Sequence, residues 1–245
     1  MNGASHRKTR EREWRWGTQL EAIPATQLAQ LVPPDRRAVV IAPHPDDEVL
    51  GTGGLLASLA LLGRPALVIV VTDGTASHPG SRTLSAHALE QMRPAETKRA
   101  VLALGHDMPI VRLRFPDGDV QHHIPALARR CAALLLPDDV LFSPWSADGH
   151  PDHEATALAV ARLCREGRHL HFQVPIWAWH WRRPDDGAMP WHRACRLELA
   201  AAAMRRKQVA LASFRTQRCI LGSRPAIVST AMAAHFERPF EVYFG

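Results

Sequence analysis

Two short clusters of histidine and carboxylate residues stand out in this chain of 245 residues. The first runs from His44 to Glu48 and reads His-Pro-Asp-Asp-Glu, and the second runs from Asp148 to Glu154 and reads Asp-Gly-His-Pro-Asp-His-Glu. Imidazole and carboxylate groups are ligands of divalent transition metals such as zinc, and a catalytic zinc keeps one position open beside three protein ligands. A nearby carboxylate can then take a proton from metal-bound water. The clusters therefore indicate a metal-dependent hydrolase.

Each cluster taken alone also has a structural explanation. A His-Pro-Asp sequence can form a turn that an Asx hydrogen bond closes, and Asp152 can cap a helix that begins near His153. Asp152 can instead accept a hydrogen bond from the free ring N–H of a ligand or catalytic histidine and so orient that histidine. Histidines outside the two clusters are more typical of surface or loop positions. The occurrence of both clusters in one chain favours a site.

The elements that must position the clusters alternate regularly along the chain. Short apolar runs typical of buried strands occupy residues 38–41, 66–71, 110–113, 140–143 and 171–176, and helix-compatible segments occupy residues 49–62, 94–104, 124–136 and 153–165. This alternation predicts βαβ units and a mostly parallel sheet with helices on both faces. Ligands bind at the carboxyl ends of the strands in such sheets. Both clusters follow a strand candidate directly.

The two ends of the chain are less regular. Residues 1–36 are polar and basic and are expected to form an extension before a single domain of residues 37–245. A long helix is expected over residues 192–213, and a short strand over residues 240–244. The helix over residues 94–104 would have Pro94 in its first turn, where proline is tolerated.

The composition, 46% hydrophobic and 22% charged with a formal net charge of +6, excludes a disordered, collagenous or coiled-coil protein. The four cysteines lie far apart and are expected to be reduced thiols. The first residues lack the apolar region of a signal peptide, and Arg64 and Pro65 break the longest apolar stretch. We therefore expect a cytoplasmic protein without a membrane span.

The His-Pro-Asp-Asp-Glu motif after the first strand, with His-Pro-Asp-His at the start of a later helix, resembles the PIG-L or LmbE-like family of zinc-dependent N-acetylglucosaminyl deacetylases. The resemblance runs from about Val39 to Ile176, with a weaker likeness over Lys207 to Gln217. It implies a Rossmann-like three-layer sandwich. It also implies removal of acetyl from N-acetylglucosamine units of lipids, thiol precursors or natural products.

The resemblance also assigns roles to individual residues. The implied metal ligands are His44, Asp47 and His153, with zinc as the ion and another divalent metal as an alternative. Asp46 matches the general base, which can afterwards protonate the departing amine. His150 is the expected partner of the oxyanion. Some family members have a tyrosine two residues before His150, where this chain has Asp148.

Three residues are candidates for binding the substrate. Glu48 matches a family position whose carboxylate holds sugar hydroxyls. Arg93 matches an arginine that either contacts the substrate or forms an ion pair at a helix start. Trp145, just before the second cluster, could stack on a sugar, and the tryptophans of residues 177–191 either form a substrate wall or pack in the core.

We thus expect a hydrolase that removes an N-acyl group from a small amino sugar or glycoconjugate. Two alternatives remain open. A metal-dependent phosphoester hydrolase would need more ligands for a second metal ion than the clusters offer. A nucleic-acid-binding module would use the basic run from Arg7 to Arg15, but most of the remaining positive charge is diffuse, so no nucleic-acid partner is expected. The sequence does not indicate the oligomeric state.

Overall fold

A computed structural model describes residues 16–81, 84–105, 108–167, 169–184, 187–219 and 226–245. Within these residues eight strands form one sheet. In chain order they are β1 (Ala25–Thr26), β2 (Ala38–Ala42), β3 (Ala66–Thr72), β4 (Ile110–Phe115), β5 (Val140–Pro144), β6 (Leu170–Val174), β7 (Ala194–Glu198) and β8 (Phe240–Phe244). Their order across the sheet is β1-β7-β8-β6-β5-β2-β3-β4.

Five longer helices cover the sheet in the described part of the chain. They are α1 (Asp47–Leu61), α2 (Ala86–Leu104), α3 (Ile124–Ala132), α4 (Pro151–Glu166) and α5 (Ala201–Leu211). Short helical turns lie at Leu28–Leu31, Val120–His123, Ala178–Trp181, Trp191–Arg193, Arg215–Arg218, Thr230–Ala233 and Ala234–Phe236. No helix of the described residues combines the length and apolar character that crossing a membrane requires.

The prediction of a mostly parallel α/β sandwich is confirmed. Strands β4, β3, β2, β5 and β6 are parallel to one another, and β1 is parallel to β7. Strand β8 is antiparallel to both of its neighbours, β6 and β7. Strands β2 and β5 lie side by side, with Val39 opposite Leu141. Because each of the two polar clusters follows one of these adjacent parallel strands, the clusters meet at one edge of the sheet.

The core lies in two layers, one on each face of the sheet. Every residue of β2 is buried, and successive side chains of a strand point to opposite faces. Val40 accordingly packs with residues of α1, α2 and α5, whereas Val39 and Ile41 pack with residues of α3 and α4. The continuous apolar run of β2 is the pattern of a strand covered on both sides.

Helix α2 begins earlier than the sequence predicted. Its first residue is Ala86, and Ser85 caps it by accepting a hydrogen bond of 3.1 Å from the backbone N–H of Ala88. Pro94 lies inside the helix, where its missing N–H leaves one helical hydrogen bond unmade. The prediction was wrong because it took this proline as a helix start, although the residues before it favour a helix.

The expected helix over residues 192–213 is in fact a strand followed by a helix. Ala194–Glu198 form β7, and α5 begins only at Ala201. Strand β7 pairs with β1 on one side and β8 on the other. Both partners are distant in sequence, so local helix propensity gave no sign of the strand.

The segment expected to be a polar extension contributes to the core. Residues 16–22 are helical, and Trp16, Leu20 and Ile23 are buried in the cluster that also holds α1. Strand β1 extends the sheet beside β7. Residues 1–15 lie outside the described residues. The expected boundary at residue 36 therefore does not coincide with the edge of the core.

Candidate active site

The two polar clusters meet at the carboxyl ends of β2 and β5. His44 follows β2, Asp47 is the first residue of α1, and His153 lies in the first turn of α4. The Oδ2 atom of Asp47 lies 3.2 Å from Nδ1 of His44 and 3.1 Å from Nε2 of His153. All three side chains are buried, and their ligand atoms lie within 4.8 Å of one another. We call these three residues the triad.

The triad fits a divalent metal ion. Two ligands at about 2.1 Å from a tetrahedral centre are roughly 3.4 Å apart, close to the separations from Asp47. Nε2 of His153 is buried and faces Oδ2 of Asp47 at 3.1 Å, as two ligands of one ion would. Burial alone would lower the pKa of His153, but the carboxylates of Asp47 and Asp148 outweigh it and raise the pKa to about 9. This excess of negative charge is what a bound cation would neutralise.

Asp148 orients His153. Its Oδ2 atom accepts a hydrogen bond of 2.8 Å from Nδ1 of His153, which directs Nε2 towards the other triad residues. The same carboxylate accepts hydrogen bonds of 2.8 to 2.9 Å from the backbone N–H groups of Ile176, Trp177 and Ala178. Asp148 is fully buried. It therefore holds the second cluster and the loop after β6 together.

Two further carboxylates flank the other ring nitrogen of His44. Nε2 of His44 lies 3.1 Å from Oδ2 of Asp152 and 3.2 Å from Oδ1 of Asp117. A ring nitrogen placed between two carboxylates carries the hydrogen, which leaves Nδ1 as the ligand atom. Asp152 also accepts hydrogen bonds from the backbone N–H groups of Gly118 and Val120. The expected orienting contact of Asp152 is thus present, and Asp117 joins it.

Asp46 lies beside the triad at the start of α1. Its backbone has a φ of 126°, which is rare for a residue other than glycine. Its N–H donates a hydrogen bond of 2.9 Å to Oε2 of Glu48. Burial raises the pKa of Asp46 to about 7, with Arg93 opposing the rise and Asp47 adding to it. A carboxyl group with a pKa near neutrality is suited to take up and return a proton.

Arg93 supports the loop that carries Asp46. Its guanidinium donates to the backbone carbonyls of Gly74, at 2.8 Å, and Pro45, at 2.5 Å. Its Nη2 atom lies 3.6 Å from Oδ1 of Asp46. Arg93 is only 2% exposed but lines the cleft. Of the two roles that the sequence left open, the ion pair is present, although its partner is Asp46.

His150 is a neutral histidine at the cleft. Burial, together with the neighbouring His153 and His44, lowers its pKa to about 4. Its Nδ1 atom accepts a hydrogen bond of 3.2 Å from the backbone N–H of Asp152. The neutral ring therefore carries its hydrogen on Nε2, where it can act as a donor.

The cleft beside the triad has a volume of about 400 Å³, within the range of small-molecule sites. Asp46, Arg93 and His150 line it, together with the triad members His44 and Asp47. Further lining residues are Asp117, Gln217, Trp177, Trp181, Ile227 and Val228. The lining thus combines the charged groups of the triad with aromatic and aliphatic side chains.

Two of the expected substrate-binding residues do not line the cleft. Glu48 is fully buried and holds the backbone of Asp46, and burial raises the pKa of Glu48 to about 8. Trp145 packs edge-on against Phe244, with ring centroids 5.6 Å apart. The tryptophans that face the cleft are Trp177 and Trp181 instead.

Several residues of the cleft were not singled out by the sequence. Asp117 follows β4 much as His44 follows β2. Its position after a strand end could have indicated that it lies at the site. Gln217 ends the weaker family likeness of residues 207–217, whereas no motif marks Val228, and both come from the part of the chain beyond the regular alternation. Their place at the cleft depends on how α5 and the segments after it fold back over the sheet.

Known proteins with related sequences are deacetylases of amino sugars. A diacetylchitobiose deacetylase of Thermococcus kodakarensis is 31% identical over 126 residues, which cover 48% of this chain and 45% of the relative. A 1D-myo-inositol 2-acetamido-2-deoxy-alpha-D-glucopyranoside deacetylase of Mycolicibacterium gilvum is 31% identical over 178 residues, which cover 62% and 61% of the two chains. The chain spans about half the length of the curated relatives it matches.

Solved structures share the fold. The N,N'-diacetylchitobiose deacetylase of Pyrococcus horikoshii has a TM-score of 0.58 and 21% identity, over 84% of this chain and 78% of that chain. A deacetylase of teicoplanin biosynthesis, solved with teicoplanin, has a TM-score of 0.66 and 19% identity, over 85% and 97% of the two chains. At these identities the likeness shows the fold alone.

The alternatives of a phosphoester hydrolase and a nucleic-acid-binding module receive no support from these relatives. The basic run from Arg7 to Arg15 lies outside the described residues.

The strand, loop and helix units that hold both clusters also match a family model. The model is described as PIG-L: GlcNAc-PI de-N-acetylase, and it matches residues 39–164, just over half of the chain. This span includes the triad and most of β2 and α4. The resemblance inferred from the two motifs is thereby confirmed, and the chain belongs to the PIG-L family of deacetylases.

Proposed function

We propose that this protein is a metal-dependent N-deacetylase that removes an acyl group, in particular acetyl, from an amino sugar or glycoconjugate. The observation that carries the proposal is the buried carboxyl group of Asp46 beside the triad, at the wall of an open cleft. The names of the relatives, which specify N-acetylated amino sugars, support the substrate class.

Zinc is the proposed ion, held by Nδ1 of His44, Oδ2 of Asp47 and Nε2 of His153. Two imidazoles and one carboxylate form a common ligand set of catalytic zinc. When bound, zinc supplies a Lewis acid that polarises a carbonyl and lowers the pKa of water. Asp148 and the Asp117 and Asp152 pair fix the two histidine rings so that these ligand atoms converge.

Asp46 acts as the general base and then as the general acid. Its carboxylate takes a proton from the attacking water, and the protonated form gives that proton to the departing amine nitrogen. Arg93 holds the loop through two backbone carbonyls, so the carboxylate keeps one place between the two steps. His150 offers its Nε2–H to the oxyanion that forms at the acyl carbon.

The first experiment tests the reaction and the base together. Protein loaded with zinc is incubated with methyl glycosides of N-acetylglucosamine, and the amine that is released is measured. We expect activity that a chelator removes and zinc restores. Asp46→Asn should lower kcat by about 10² to 10⁴, the usual contribution of a general base.

A matched control separates the base from general effects of charge removal. Asp138→Asn makes the same change at a side chain that is 79% exposed, and it should keep wild-type turnover. The amount of zinc bound should be the same in both variants, since Asp46 is not a proposed ligand. If Asp46→Asn turned over every accepted substrate at the wild-type rate, the assignment of the base would be wrong.

A further inference from the structure

A row of aromatic rings leads from the triad to the surface. The ring of His150 lies 4.8 Å from the ring of His153. The next ring is Trp177, 6.2 Å from His150, and Trp181 stacks on Trp177 at 5.5 Å with an angle of 13° between the planes. Trp177 is half-buried, whereas Trp181 is 56% exposed. The row therefore ends in a flat aromatic face at the rim of the cleft.

The rings at the rim are held by the same loops that hold the triad. The backbone N–H groups of Trp177 and Ala178 donate to Asp148, the residue that orients His153. A Cβ atom on Gly149 would lie 3.0 Å from Cδ1 of Trp181, so the indole packs on the backbone directly before His150. The face is thus positioned in advance relative to the residues that carry the chemistry.

The cleft has further apolar lining besides the two tryptophans. Ile227 and Val228 line it together with the two tryptophans, and Leu50 lines it from α1. A sugar ring can stack on an indole through its C–H face, but its hydroxyl groups also seek hydrogen-bond partners that apolar side chains do not offer, whereas a flat apolar group needs only contact area. The scissile amide must lie at the triad, so the part of the substrate that reaches Trp181, at the exposed end of the row, lies away from the reacting amide.

We infer that Trp177 and Trp181 form a subsite for an aromatic or flat apolar aglycone linked to the amino sugar. The inference rests on the proposed deacetylase function and specifies its substrate class. A preformed aromatic face binds such a group with little loss of conformational freedom, so it adds affinity for substrates that carry one.

The test compares two glycosides of N-acetylglucosamine that differ only in the aglycone. With zinc-loaded protein, kcat/KM should be higher for the phenyl glycoside than for the methyl glycoside. Trp181→Ala should lower this preference about tenfold, as expected for the loss of a stacking contact. Trp181→Phe retains a flat ring and should keep most of the preference. A preference that is absent in wild type, or unchanged in Trp181→Ala, would overturn the subsite.

A binding measurement separates failure of the subsite from failure of the proposed function. Phenyl β-glucoside has the aglycone but no acetamido group, and calorimetry measures its affinity without any reaction. It should bind wild type more tightly than it binds Trp181→Ala. Tighter binding by wild type without any deacetylation would support the subsite and reject the proposed function. Deacetylation without a difference in affinity would support the proposed function and reject the subsite.

The control variant is Leu136→Ala. Leu136 is an apolar side chain with the same exposure as Trp181, 56%, and it precedes the amino end of β5, opposite the cleft. Its removal should change neither the preference between the glycosides nor the affinity for phenyl β-glucoside. Circular dichroism checks that each variant is folded, and a drop in the preference of Leu136→Ala would show that the effect is not specific to the rim.

Discussion

At the scale of single residues, Asp148 does more than its position in the motif indicated. The sequence marked it only as a departure from family members that have a tyrosine there. In the structure its two oxygens accept four hydrogen bonds, one from the ring of His153 and three from backbone N–H groups. One buried carboxylate therefore sets both the orientation of a triad histidine and the path of the loop that carries Trp177.

Replacing this carboxylate by an amide should weaken metal binding. Asp148→Asn leaves one side-chain oxygen and places an NH₂ group against N–H donors. We expect the affinity for zinc to fall about 10- to 100-fold, as for other changes to the partner of a ligand histidine. Competition with a chromogenic chelator measures it.

The control for this prediction is again Asp138→Asn, the same change at an exposed position. Its zinc affinity should equal that of wild type. An unchanged affinity in Asp148→Asn would mean that the ring of His153 is fixed by its packing rather than by this hydrogen bond.

At the scale of elements, helix α1 is fixed in place by strand β8. The carboxylate of Glu241 accepts hydrogen bonds from the backbone N–H groups of Gly54 and Leu55 in the middle of the helix. Lys207 and Tyr243 donate to the same carboxylate, each at 2.6 Å. A buried carboxylate is tolerated here because each oxygen has donors. Since α1 begins with Asp47, this contact also supports the triad.

The close approach at Gly54 should make a helix-favouring substitution harmful. A Cβ atom on Gly54 would lie 2.3 Å from Cδ1 of Leu199 and 3.0 Å from Cδ of Glu241. Gly54→Ala should therefore lower the free energy of unfolding by about 1 to 3 kcal/mol through overpacking. Urea unfolding measures the difference.

Gly17→Ala is the matched control for the helix. Gly17 also lies in a helical segment, but a Cβ atom there would have no neighbour within 4 Å among the residues that the structure describes. Alanine is the better helix former, so this variant should be as stable as wild type or up to about 1 kcal/mol more stable. Equal effects of the two substitutions would show that helix propensity, and not overpacking, determines the change in stability at Gly54.

At the scale of the whole molecule, the described part of the amino-terminal segment packs into the same core as the sheet and α1. Trp16 is 2% exposed and packs edge-on against Trp179, with ring centroids 5.2 Å apart, and against Trp191 at 5.6 Å. Trp179 belongs to the loop that also carries the cleft residues Trp177 and Trp181. The stability of that loop therefore depends on residues that precede the first strand of the family match.

Trp16→Ala should destabilise the protein by about 3 to 5 kcal/mol, the usual cost of removing a buried tryptophan. Trp181→Ala makes the same change at an exposed ring and should cost only about 1 kcal/mol, the value of its stacking contact. Chemical unfolding followed by circular dichroism compares them. Similar losses in the two variants would contradict the core position of Trp16.

The sequence predicted the parts of the structure that local pattern determines. Apolar runs followed by polar loops predicted β2 and β5, and adjacent parallel strands then bring His44 and His153 together. Contacts between distant segments left no such pattern. Strand β7 depends on neighbours far along the chain, and the cleft walls from Trp181 and Val228 depend on how the last third of the chain packs. Trp145 was expected to contact the substrate, but its ring is buried against Phe244, a residue almost a hundred positions along the chain.

The backbone conformation of Asp46 also affects which residues evolution can place at this position. A φ of 126° is a conformation that glycine adopts without strain, and other residues pay about 1 to 3 kcal/mol for it. A selection for thermal stability alone would therefore favour glycine at this position and remove the proposed base. Selection for activity and selection for stability thus act in opposite directions on one residue.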